Sequence, residues 1–171
     1  MKVSKVIYGL MMVLALVACN QNPSQSNTNA EVANEEPTQA EMAAKTERLI
    51  SQLIKPEDLG LQGNENKKWV INPESYKKLM QVKQQIYAIS GYMDSYEIAR
   101  FNEIGNEILN FVETIPELED AQANAEMQKV LKITKNQCLK LIESDLQNAQ
   151  VAVVNLSILY DEVPKYFVSK K

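Results

Sequence analysis

The sequence contains no histidine. That absence removes Ser-His-Asp and Cys-His catalysis, Glu-x-x-His di-iron sites, Cys/His zinc sites and His-ligated haem. Glycine and proline are scarce, at 5 and 6 of 171 residues. An all-β chain needs many more turn residues, so the composition points to helices. Cysteine occurs only at Cys19 and Cys138. Basic charge is also short: 18 Lys and Arg stand against 22 Asp and Glu, a net charge of −4. Nucleic-acid binding depends on basic patches, so no nucleic-acid partner is expected, nor docking on anionic lipid by charge.

What is present begins with an apolar run, Val6 to Val17, behind the basic residues Lys2 and Lys5. The run falls well short of the roughly 20 residues that cross hydrocarbon and matches the apolar stretch of a secretion signal. A small residue, Ala18, then precedes Cys19. Leu16-Val17-Ala18-Cys19 resembles the lipobox of bacterial lipoproteins at all four positions. The resemblance covers residues 1–19 only, and no family is recognised for the remainder. It implies cleavage between Ala18 and Cys19, a diacylglycerol thioether on the Cys19 sulfur and an acyl chain on the new amino group. Two or more chains anchor a protein stably where one does not. The first implied partner is therefore the membrane, reached through the acyl chains on Cys19. Asn20, where an aspartate would signal inner-membrane retention, implies the outer membrane of a Gram-negative host.

Loss of residues 1–18 takes Lys2 and Lys5 with it and moves the net charge from −4 to −6. The 153 residues left are enough for one domain with a core. Residues 19–37 are rich in Asn, Gln, Ser, Thr and Glu, and Val32 is their one aliphatic residue larger than alanine. Such a composition does not bury enough surface to offset ordering entropy. It reads as a flexible tether with a typical reach of roughly 25 Å.

The domain is expected over residues 38–171. Thr38-Gln39-Ala40-Glu41 reads as a capping box, and Met42, Thr46, Leu49, Ile50, Leu53 and Ile54 follow at helical spacing. That helix is expected to stop before Pro56. Glu57 to Lys68, with Gly60 and Gly63, reads as irregular chain and not as a phosphate loop. Asn72-Pro73-Glu74 starts a second helix carrying Tyr76, Leu79, Met80, Lys83, Ile86, Tyr87 and Ser90 and ending at Gly91. Asp94-Ser95-Tyr96-Glu97 reads as another capped start. Behind it Ile98, Phe101, Gly105, Ile108, Val112 and Ile115 step by 3, 4, 3, 4 and 3. Gly105 on this seam implies close approach of a neighbour, and Pro116 ends the helix.

From Leu118 to Val163 there is no Pro or Gly. Met127, Leu131, Thr134, Cys138 and Leu141 hold one phase, which slips by one at Ile142, Leu146, Ala149, Val153, Leu156, Tyr160 and Val163. The slip points to a change of partner or a bend near Glu143-Ser144-Asp145, so the last helix is either one long helix or one broken in two there. Val151-Ala152-Val153-Val154 is kept helical, and Pro164 is expected to close the helix before a short basic tail. The fold class is all-α: an antiparallel helical bundle of about four helices.

Candidate sites are few. Glu117, Glu119 and Asp120, and again Glu143 and Asp145, lack the ligand spacing of a calcium loop and suit helix starts. No metal or cofactor is expected. Cys138, on an apolar stripe, is expected to be buried. Tyr76, Tyr87, Tyr92, Tyr96 and Tyr160 either line a ligand cleft or sit at bundle edges. Trp69, Tyr166 and Phe167 are either an exposed anchor for a protein partner or part of a segment and tail that fold back over one end of the bundle. Asn155-Leu156-Ser157 matches a glycosylation sequon without meaning on an inward-facing helix.

No catalytic residues are assigned, and an enzyme here would have to work through Tyr, Lys and carboxylates alone. The expected role is a non-enzymatic, lipid-anchored envelope protein presenting its helices to an envelope or extracellular protein. The alternative is a binder of a small apolar ligand between the helices.

Overall fold

The structure is a computed structural model describing residues 38–64, 68–91 and 97–171. The leader 1–18, Cys19, the tether 19–37, Tyr92 and Asp94-Ser95-Tyr96 lie outside the described residues. The described residues are mostly helical, with five helices and two short strands. They are α1 (Gln39–Ile50), α2 (Pro73–Ser90), α3 (Ile98–Val112), α4 (Ala121–Glu143) and α5 (Leu146–Tyr166), with β1 (Trp69–Ile71) and β2 (Phe167–Ser169). The chain divides into two units, Met1–Ser51 and Gln52–Lys171.

In the first unit, α1 begins at the expected capping box. The Thr38 hydroxyl accepts from the Glu41 amide at 3.3 Å, and Glu41 Oε2 accepts from the Thr38 amide at 2.7 Å. The helix ends at Ile50, short of the expected Pro56. Its apolar stripe is not part of a core, because no residue of α1 is buried.

The second unit is organised around α5. This helix is buried on nearly all sides, from Val151 through Ser157 and again at Leu159, Tyr160, Glu162 and Val163. It packs against α2, α3, α4, the short 3-10 turn Pro56–Leu59 and β2. Each fully buried Leu or Val side chain contributes about 1.5–3 kcal/mol, so the helix at the hub carries much of the hydrophobic stabilisation. The break ahead of it lies where the phase slips. Ser144 is extended (φ −101°, ψ 168°), and the Asp145 carboxylate caps α5 by accepting from the Asn148 amide at 2.9 Å. Pro164 does not close α5, which runs on to Tyr166. A proline there removes only one amide donor, in a turn that is already ending.

α2 starts at Asn72, whose side chain accepts from the Ser75 amide at 2.8 Å, and ends at Gly91. Its inward stripe is Ser75, Leu79, Val82, Ile86 and Ile89; of the expected face Leu79 and Ile86 are buried, while Tyr76, Met80, Lys83 and Ser90 lie at the flank and Tyr87 is exposed. The small Ser75 is what turns inward, so the larger Tyr76 moves to the flank. α3 keeps its expected seam at Phe101, Gly105, Ile108 and Val112, while Ile98 stays 38% exposed. The backbone and side chains of α4 close on Gly105: a Cβ there would stand 3.0 Å from the Cys138 carbonyl oxygen and 2.9 Å from Ile142.

The tail folds back onto the 69–71 segment. β2 pairs in parallel with β1, with Trp69 opposite Phe167, Val70 opposite Val168 and Ile71 opposite Ser169. The Lys170 amide extends the ladder by donating to the Ile71 carbonyl at 2.7 Å.

Candidate functional site

The strand pair forms the most distinctive surface of the second unit. Alternation along β1 turns Trp69 and Ile71 inward and Val70 outward. In β2 Phe167 is buried and Val168 is exposed. Trp69 and Phe167 are therefore 6% and 1% exposed and are corrected as surface anchors. Their rings are spent inside the fold, and Tyr166 is half-buried at the end of α5. The outward positions hold an apolar pair instead: Val70 is 62% exposed and its cross-strand partner Val168 38% exposed.

Two clefts flank β1. One, of about 350 Å³, is lined by Gln62, Gly63, Asn64, Trp69, Gln122 and Glu126 among others. The other, of about 280 Å³, lies between Val70-Ile71-Asn72, Lys170 and the Glu117–Ala123 segment at the start of α4. The first cleft has a buried carboxylate at its base. Glu126 accepts from the Gln62 amide at 2.9 Å and from Lys129 Nζ at 2.7 Å. Lys129 also donates to the Gly60 carbonyl at 3.0 Å, and Trp69 Nε1 donates to the Gln62 carbonyl at 2.8 Å. These bonds hold the 60–62 loop against α4 and β1. Gly60 lets the loop turn, because its φ of 62° is costly for a residue with a Cβ.

Of the acidic residues expected at helix starts, Asp120 and Asp145 are N-caps, Glu117 and Glu119 lie ahead of the α4 cap, and Glu143 is the last residue of α4. Asp120 caps α4 by accepting from the amides of Gln122 and Ala123, both at 2.9 Å. Among the described residues no group of three or more Asp, Glu or Cys side chains could hold a metal ion.

The described tyrosines divide between core and edge. Tyr160 is wholly buried, with its hydroxyl 3.1 Å from that of Thr134. Tyr87 is 40% exposed at the edge of α2 and donates to Asp161 Oδ1. Lys83 shares that carboxylate at 3.1 Å and stands 5.3 Å from the centre of the Tyr87 ring. Burial, and then the hydrogen bond to Asp161, push the Tyr87 hydroxyl above its ordinary range. It therefore keeps its proton at neutral pH. The trio joins α2 to α5 electrostatically. Cys138 is fully buried, and its burial pushes the thiol up to about 12.

Sequence reasoning missed one residue that organises this unit. Asn155, noted only as part of a sequon, is wholly buried. Its Oδ1 accepts from the Ile54 amide at 2.8 Å, while Nδ2 donates to the Gln52 carbonyl at 3.1 Å and to Gln137 Oε1 at 3.2 Å. One side chain thus fastens the segment that enters the second unit. A polar residue inside the apolar run Val151–Leu156 is the signal that could have found it.

No protein-family model, no curated protein and no solved structure matches the chain.

Proposed function

We propose that the chain is a lipid-anchored lipoprotein of the bacterial cell envelope. It is cleaved between Ala18 and Cys19, held by acyl chains on Cys19, and binds an envelope or extracellular protein without catalysing a reaction. The outer membrane of a Gram-negative host is the proposed location. The helices of the second unit are proposed to run antiparallel around α5. The observation that carries the reading is the sequence Leu16-Val17-Ala18-Cys19 behind a basic start and a short apolar run. The exposed Val70–Val168 pair supports a protein-binding role, since it gives a partner apolar contact area on hydrogen-bonded backbone.

Fractionation of host cells tests the anchor: the wild type is expected in the membrane fraction and Cys19→Ser in the soluble fraction. Continued sedimentation of that variant with membranes refutes the lipid anchor. Crosslinking in the envelope tests the partner. A protein crosslinked to the wild type and lost with Val70→Asp/Val168→Asp supports the site, and equal crosslinking by both removes it.

A further inference from the structure

α1 is a regular, well-capped helix, yet none of its residues is buried. Met42 and Ile50 are 39% and 45% exposed, and Leu49 is half-buried. At helical periodicity Met42, Thr46 and Leu49 share one stripe with Ile50 at its edge, and Arg48 lies on the far side. The charged residues are Glu41, Lys45, Glu47 and Arg48, two acidic and two basic, which cancel. Nothing in this charge pattern attracts or repels a membrane surface, so the uncovered apolar stripe decides what the helix binds.

The position of α1 along the chain identifies the occupant. Cys19 precedes Thr38 by 19 residues. A chain of that length spans at most roughly 65 Å when fully stretched. A bilayer holding Cys19 is therefore within that distance of α1 at all times. Tethering of this kind sets an effective concentration on the order of millimolar. A short stripe that would bind lipid negligibly in free solution then spends much of its time adsorbed.

We propose that α1 is a second membrane contact, lying in the plane of the same bilayer that holds Cys19, with Met42, Leu49 and Ile50 at the boundary of headgroups and acyl chains. This rests on the acylated Cys19 argued above. The contact is apolar and nearly independent of salt, since the helix carries no net charge. It shortens the span between bilayer and second unit to the few residues after Ile50.

The test uses full-length protein processed in its host and reconstituted in vesicles of phosphatidylethanolamine and phosphatidylglycerol. Single substitutions Met42→Cys, Ile50→Cys and Arg48→Cys are labelled with a membrane-impermeant maleimide. Cys138 is buried and acylated Cys19 is blocked, so the new thiol reports alone. Met42→Cys and Ile50→Cys are expected to label at least tenfold more slowly on vesicles than in a Cys19→Ser background, while Arg48→Cys labels equally in both. Equal rates at all three positions, with the protein still floating with the vesicles, overturn the adsorbed helix and leave the anchor standing. Protection that persists in the Cys19→Ser background and grows with protein concentration assigns the stripe to a second copy and also overturns it. Protein that does not float with the vesicles refutes the anchor itself, and the proposal with it.

Discussion

At Gly105 the packing of α3 against α4 leaves no room for even a methyl group. An added Cβ meets the Cys138 carbonyl oxygen at 3.0 Å and the Leu141 Cβ at 3.0 Å, and neither is the free end of a flexible side chain. Alanine would gain about 1 kcal/mol in helix propensity, but overpacking costs typically 1–3 kcal/mol. Gly105→Ala is expected to lower stability by about 1 kcal/mol, read as a lower denaturant midpoint at unchanged slope. A raised midpoint would show that the helices separate freely. Cys138, on the other side of that contact, is expected to resist labelling. With the thiol at about 12, only about one molecule in ten thousand is thiolate at pH 8. Because burial raises this pKa, the stability it confers is present below the unfolded value near 9 and is lost as pH climbs towards 12. Rapid labelling of the native protein at pH 8 contradicts this burial. Asn155 carries the largest polar consequence. Asn155→Ala leaves the Ile54 amide and the Gln52 carbonyl without partners, at an expected cost of at least about 2 kcal/mol. Hydrogen exchange at the Ile54 amide should accelerate more than exchange in α3, and uniform acceleration would show no local fastening.

Among the elements, α1 stands on its cap and α5 on its burial, and the two respond differently to conditions. Hydrogen bonds from Thr38, the backbone amide first, hold the Glu41 carboxyl below its ordinary value of 4.5. A depressed carboxyl stabilises above that value and stops doing so as pH falls through its folded pKa. Acidification below pH 4.5 is therefore expected to melt α1 before the second unit, seen as lost exchange protection in 42–50. Retained protection there once the Glu41 carboxyl is protonated would remove the capping box as its support. The cap was legible in four letters, Thr38 to Glu41, as was the Asn72-Pro73 start of α2, because each depends on residues a few positions apart; at Ser144 the phase slip located an irregularity but left one long helix and two helices both open. What α1 packs against was not legible. A period of 3.6 tells which face is apolar, not whether a neighbour covers it. The parallel pairing of β1 with β2 was equally hidden, since three-residue strands about 100 positions apart leave no periodic trace. The inward face of α2 includes Ser75, a polar residue that hydropathy places outside and packing places inside. Of the candidate site, Trp69 and Phe167 were noticed for the right segments, but the strand pleat that buries them and exposes Val70 and Val168 shows only in the pairing.

At the scale of the whole molecule, chemistry is assigned to the amino terminus and contact to the rest. In the second unit a central buried helix, a tail paired back onto β1 and a hydrogen-bonded entry segment leave the Val70–Val168 pair outward. Its proposed place in the cell rests on the covalent state of Cys19. The direct measurement is the intact mass of the protein extracted from the membranes of its own host, followed by fragmentation of its amino-terminal peptide. The expected product is a chain that starts at residue 19 and carries a diacylglycerol on sulfur and a fatty acyl group on nitrogen. A chain that keeps its first 18 residues, or that starts elsewhere with a free Cys19 thiol, contradicts the lipid anchor.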